Sequence, residues 1–199
     1  RYRLDPGSYD VVAQRPTRIA YSPDAQCGSG EVTVANQATA GLYNYTPFQP
    51  NEAAAHGCGQ VLYLDGAEHR WLEECGTMNF MMVTADDQLV TPTLGSILDG
   101  VTRDSLLTLA SEHGLTPVER PISIDELRDG IASGRVTETF ACGTAAVIPP
   151  IVGFDSPEHG AQVVGDGEPG SRTRELRAHL LDIQFGRAED RHGWLRRVV

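Results

Sequence analysis

Apolar and polar positions keep regular periods from residue 51 onward and scarcely do so before it. Residues 1–50 hold Pro6, Pro16, Pro23, Pro47 and Pro50 and a Cys27-Gly28-Ser29-Gly30 turn. One alternating stretch, Glu31-Val32-Thr33-Val34-Ala35, predicts a strand there. The run from Asn44 to Pro50 reads as extended or turn-rich chain. An alanine-rich piece over 51–56 predicts a short helix leading into a strand at Val61-Leu62-Tyr63-Leu64. Further strands are predicted over 71–74, 78–83 and 88–91. A helix over 102–113 carries Leu106, Leu109 and Ala110 on one face and stops at Gly114.

Ser123-Ile124-Asp125-Glu126 has the form of a capping box, with Ile122 and Leu127 spaced to staple the first turn of the helix it opens. Strands over 137–142 and 146–152 follow. A last helix near 172–185 presents Leu176, Leu180 and Ile183 before Gly186 ends it. Strands and helices mix without strict alternation, which predicts an α+β fold rather than a doubly wound sheet. Two parts are expected, an irregular appendage over 1–50 and a regular domain over 51–199.

Composition narrows the partners. The chain is 40% hydrophobic and 22% charged, as in a globular protein, and is long enough to bury roughly 70% of its unfolded surface. No apolar run reaches membrane-span length and no targeting signal is legible, so the expectation is a cytoplasmic protein without a membrane partner. A net charge of -11 argues against nucleic acid, which such a surface repels. Small molecules or proteins are the expected partners. Cys27, Cys58, Cys75 and Cys142 form no close pair, which reads as reduced thiols without a zinc site; His56 and Cys58 lack a second ligand pair, so no metal is assigned.

Three segments are candidates for chemistry. Gly100-Val101-Thr102 opens a helix, where free N–H groups and a hydroxyl can hold an anion, or where Thr102 simply caps. Cys142-Gly143-Thr144-Ala145-Ala146 is a glycine-threonine turn at a strand end, able to offer N–H groups and a hydroxyl to a phosphate or carboxylate. In Glu73-Glu74-Cys75-Gly76-Thr77-Met78-Asn79, strand alternation predicts that one of two adjacent carboxylates faces inward and needs a cation, either an arginine or a protonated ligand nitrogen.

Taken in order, these segments make residues 51–199 resemble the C-terminal half of a branched-chain amino acid aminotransferase, a class IV pyridoxal-phosphate enzyme. The resemblance rests on residues 60–65, Glu74-Cys75-Gly76-Thr77-Met78-Asn79, residues 100–107, Phe140-Ala141-Cys142-Gly143-Thr144-Ala145-Ala146, Asp182-Ile183-Gln184-Phe185-Gly186-Arg187 and His192-Gly193-Trp194. It implies the large-domain part of that fold and the cofactor pyridoxal 5′-phosphate. By that resemblance Glu74 pairs with the ring nitrogen, Leu98 packs on the ring face, and Val101, Thr102 and Thr144 hold the phosphate. Thr77 and the backbone at Ala145 and Ala146 then lie near the substrate carboxylate. An amino acid and a 2-oxo acid are the implied substrates, and a homodimer the implied assembly.

One departure is chemical. All 16 basic residues are arginine, so the chain has no lysine, and the family attaches its cofactor covalently to one. Counting back from His56 without a gap places Ala38 at that position, with Gly41 and Tyr43 on a glycine and a cofactor-contacting tyrosine of the family pattern. Alanine can neither hold the cofactor nor move the substrate's α-proton. The family's small domain, with its phosphate-binding arginine, is also missing from the pattern. Residues 38–47 resemble a segment of secreted actinobacterial cell-wall proteins, which keeps an extracytoplasmic origin open for residues 1–50. The expectation is therefore an aminotransferase-like protein without activity as a lone chain, or alternatively a non-catalytic binding or cell-surface module on the same scaffold.

Overall fold

The computed structural model describes residues 17–22, 31–35, 58, 60–156 and 159–196. Its strands are β1 (Thr17–Ser22), β2 (Glu31–Ala35), β3 (Val61–Leu64), β4 (Leu72–Cys75), β5 (Met78–Thr84), β6 (Gln88–Thr91), β7 (Thr116–Glu119), β8 (Val136–Cys142), β9 (Pro150–Asp155) and β10 (Gln162–Val163). Its helices are α1 (Val101–Ala110), continued by one 3-10 turn, then α2 (Ile124–Ser133) and α3 (Ser171–Gln184). The α+β class holds. The predicted helix over 51–56 lies outside the described residues.

The strands form one mixed sheet in the order β10-β9-β1-β2-β3-β4-β5-β6-β7, and it curls so that β8 pairs with both β5 and β9. β2 forms where alternation predicts it, antiparallel to both β1 and β3, while β1 also runs parallel to β9. Two strands from the first 50 residues thus lie in the same sheet as the regular part. β6 and β7 are parallel because α1 carries the chain back between them.

Two apolar clusters flank the sheet. Leu62, Leu72, Phe80, Met82 and Ile151 pack with Leu127 and Ile131 of α2. Met81, Val83, Phe140 and Cys142 pack with Leu106 and Leu109 of α1 and with Leu176, Leu180 and Ile183 of α3. Every β5 residue but the last is buried, as expected of a strand covered on both faces.

Helix ends follow local chemistry with one adjustment. Ser123 caps α2 by accepting the Glu126 N–H at 3.0 Å, and Ile122 and Leu127 enter one buried cluster as a staple requires. The reciprocal arm of the box is replaced: Glu126 takes two hydrogen bonds from the Arg120 guanidinium, at 2.5 and 2.9 Å. The strand predicted over 146–152 begins instead at Pro150, since residues 144–146 form a turn and Val147 has φ 59°. β7 carries no alternating pattern, holds Pro117 at the sheet edge, and was not predicted.

α3 is capped from across the sheet. Glu138 of β8 accepts the Arg172 N–H at 3.0 Å, the Thr173 N–H at 2.8 Å and the Thr173 hydroxyl at 2.7 Å. Glu138→Ala strands these donors, and unfolding in urea is expected to show a loss of about 2–3 kcal/mol. Asp65 staples the β3–β4 connection by accepting N–H groups of Ala67, Glu68, Arg70 and Trp71. Burial pushes its carboxyl up, but the four donors outweigh that and hold it at about 2. A depressed carboxyl stabilises the fold above its unfolded value and loses that effect as pH falls toward the folded one. The stability gap between the native chain and Asp65→Asn should therefore shrink as denaturation is measured from about pH 5 down to about pH 2.

Candidate functional site

The site grows from a fault in strand alternation. β3 opposes β4 with Leu62 against Cys75 and Leu64 against Leu72, so Tyr63 faces two residues, Glu73 and Glu74. Such a bulge turns consecutive side chains to one face. Leu72 and Cys75 both enter one buried cluster, while Glu73 and Glu74 are both half-buried and both reach residues 96–98. The expectation that only one carboxylate faces inward is corrected accordingly.

Glu74 accepts the Leu98 N–H at 2.8 Å and lies 3.4 Å from the Asn79 amide nitrogen, which donates to the Leu98 carbonyl at 2.9 Å. Burial raises the Glu74 carboxyl above its usual value, partly offset by the Leu98 N–H and reinforced by the Glu73 charge. Among the described residues no arginine pairs with it. Its seat is therefore acidic and partly desolvated, with no cation among the described residues.

Asn79 also fixes the neighbouring helix. Its Oδ1 lies so close to Gly100 that a Cβ there would sit 2.1 Å away, so residue 100 must be glycine. Gly100 is the N-cap of α1, extended at φ −77° and ψ 127°, and no side chain caps the helix. Thr102 is therefore not the cap; it stands half-buried in the first turn beside exposed Val101. Uncapped N–H groups with a hydroxyl beside them suit an anion. Behind them Arg103, 2% exposed, donates to the Pro92 carbonyl and pairs with Glu119 of β7, anchoring the first turn.

The other candidates meet at the same end of the sheet. Gly76 and Thr77 form the two-residue β4–β5 connection, where Gly76 has φ 61° and a Cβ would lie 1.9 Å from the Gln60 side chain. Cys142 pairs with Asn79, and beyond it the 144–146 turn is closed by Gly143 and Val147, whose backbones bond each other at 2.8 and 3.1 Å. A Cβ on Gly143 would meet the Met78 side chain at 3.1 Å, so this turn lies beside the hairpin end that carries Thr77. Thr144 and Ala145 are exposed, and Ala146 packs on the apolar cluster. Direct bonds join Glu74 to Leu98, and Asn79 lies against Gly100; Thr77, Thr144, Ala145 and Ala146 share the rim. Ala38, Gly41 and Tyr43 lie outside the described residues.

Asn79 and Arg103 were not assigned roles from sequence, and the available signal was a polar residue inside an apolar strand or on an apolar helix stripe. Cys58, Cys75 and Cys142 are buried. Burial pushes the Cys75 thiol up and Cys142 up to about 12, which makes both poor nucleophiles. No helix among the described residues is long and apolar enough to cross a membrane.

The half-buried Glu74 carboxylate lies beside the uncapped start of α1, and the chain belongs to the Amino-transferase class IV family, whose sequence profile matches residues 49–154. It is 48% identical over 153 residues to the branched-chain-amino-acid aminotransferase of Mycobacterium tuberculosis, covering 74% of this chain and 41% of that protein. The probable branched-chain-amino-acid aminotransferase of Streptomyces coelicolor is 48% identical over 194 residues, 95% of this chain and 52% of that protein, an alignment that runs into residues 1–50. The chain spans about half or less of the length of these relatives.

Among solved structures, the branched-chain amino acid aminotransferase of Escherichia coli matches with a TM-score of 0.61 at 31% identity, over 74% of this chain and 45% of that one. A T.th. branched-chain amino acid aminotransferase, complexed with N-(5′-phosphopyridoxyl)-L-glutamate, matches with a TM-score of 0.61 at 27% identity, over 73% and 44%. The large-domain fold expected from sequence is that of these neighbours.

The raised Glu74 carboxyl has a consequence without any ligand. Its ionisation costs stability, which is fully present below the unfolded value and lost as pH rises through the folded one. Glu74→Gln keeps an acceptor for the Leu98 N–H and removes the charge, so its urea midpoint at about pH 7 should lie above that of the native chain, and the gap should close below about pH 4.

Proposed function

We propose that this chain binds pyridoxal 5′-phosphate in the manner of branched-chain aminotransferases, but without a covalent side-chain link. The observation that carries the reading is Glu74: a half-buried, proton-avid carboxylate with no arginine partner among the described residues, held in place by Leu98 and Asn79. Membership of the class IV family supports it. When bound, the cofactor supplies a cationic ring that draws electrons from the substrate's α-carbon.

In this reading Glu74 holds a proton on the ring nitrogen. Leu98, 70% exposed beside it, covers the ring face. The N–H groups of Val101 and Thr102 and the hydroxyls of Thr102 and Thr144 take the phosphate. Thr77 and the backbone of Ala145 and Ala146 receive the substrate carboxylate. Leucine, isoleucine or valine and 2-oxoglutarate are the substrates the family resemblance gives, in a homodimer.

The same sequence supplies no side-chain primary amine, so nothing in it can take the place of the lysine that carries cofactor and α-proton. Removing such a group lowers turnover by many orders of magnitude. This favours a second reading, a non-catalytic binding module built on the aminotransferase scaffold.

Titration with pyridoxal phosphate, borohydride reduction with peptide mass mapping, and a leucine/2-oxoglutarate assay test both. Expected are saturable binding weakened about 10-fold by Glu74→Ala, in line with loss of a hydrogen bond to a charged group, no side-chain adduct, and no turnover. Turnover by contaminant-free chain, or a reduced adduct on a side chain, overturns the non-covalent reading; absence of saturable binding overturns the cofactor assignment and leaves the scaffold reading.

A further inference from the structure

The β3–β4 bulge gives the site a second carboxylate. In a regular strand Glu73 would leave the opposite face from Glu74, but here both emerge against Tyr63 on one face. Both bind the same short segment: Glu73 accepts the Ser96 hydroxyl and Glu74 accepts the Leu98 N–H. Leu98 carries the apolar surface at the mouth of the site, so the two glutamates together hold its backbone from two points. The segment continues through Asn79's contacts to Gly100 and the first turn of α1.

We propose that Glu73 is a positioning residue of this site: tied to Ser96, it fixes the 96–98 segment around Glu74, and its charge, added to that of Glu74, selects a protonated ring nitrogen over a neutral ring. The inference rests on the reading that Glu74 faces that nitrogen. Two like charges on one face of a partly desolvated strand repel, and a cation placed between them relieves the repulsion. A neutral ring gains no such relief. The raised proton affinity of Glu74, to which Glu73 contributes, is the same effect with a proton as the cation. Among the described residues, the other groups that face Glu74 are neutral: the Leu98 N–H, the Asn79 amide and, across the bulge on β3, Tyr63.

The test compares binding of pyridoxal 5′-phosphate with that of its 1-deaza analogue, in which a C–H replaces the ring nitrogen, to the full chain and its variants. Glu73→Gln keeps an acceptor for Ser96 but removes the charge; Ser96→Ala removes the tether but keeps the charge. Carboxyl NMR of Glu74 in the cofactor-free chain gives a reading that needs no bound ring. Expected are a preference for the nitrogen-bearing ring that Glu74→Gln abolishes and Glu73→Gln reduces about 2- to 5-fold, the size of a screened, partly exposed charge pair. A lowered Glu74 titration midpoint in Glu73→Gln is expected too, with Ser96→Ala weakening both ligands equally.

If Glu74→Gln leaves the preference intact, the assignment of Glu74 to the ring nitrogen falls, and this inference with it. If Glu74→Gln abolishes the preference while Glu73→Gln moves neither it nor the Glu74 midpoint, this inference alone falls and Glu73 is only a tether.

Discussion

A carboxamide inside an apolar strand has to be satisfied, and how Asn79 is satisfied determines the geometry of the site. β5 is buried on both faces, with one edge shared between β4 and β6 and the other taken by β8. Asn79 is 4% exposed in that strand, where an unpaired amide would cost on the order of 1–3 kcal/mol. Its partners are Glu74 across the hairpin and the Leu98 carbonyl of the following segment. Satisfying one buried group therefore brings together an acidic strand, an apolar loop and a helix start that are separate in sequence.

Legibility from sequence followed the range of the interactions concerned. Helices declared themselves through features within a turn or two: Ser123 at a cap, the Leu106 and Leu109 stripe, and Gly114 in a left-handed stop at φ 69°. Strands of the central meander were legible because burial alternates or saturates along each of them. What stayed hidden depends on a distant partner. β7 exists because β6 lies beside it, and the bulge at Glu73 and Glu74 exists only relative to the register of β3. The apolar run before Pro150 reads as one strand from composition, yet the turn at 144–146 and the left-handed Val147 divide it. Arg103 could not be recognised as buried because its partners, Pro92 and Glu119, flank it at long range.

Every Lys-or-Arg position of this chain is arginine, and several of the described arginines serve as ties. Arg120 braces Glu126, Arg172 reaches Asp87 and the His113 carbonyl, and Arg187 closes on Asp182. A guanidinium forks well onto carboxylates and carbonyls but does not condense with a carbonyl as an amine does. The chain thus keeps electrostatic recognition while lacking covalent chemistry at its side-chain nitrogens.

The ion pair between Arg103 and Glu119 joins two places that would otherwise be independent. Glu119 stands on the outermost strand of the sheet, and Arg103 lies in the first turn of α1, one residue past Thr102. The border of the sheet thereby acts as a hinge plate for the helix, and the aim of its free N-terminal amides is set from a strand outside its own turn. A neighbour or a truncation that displaced this outer strand would re-aim those amides without touching the helix that carries them.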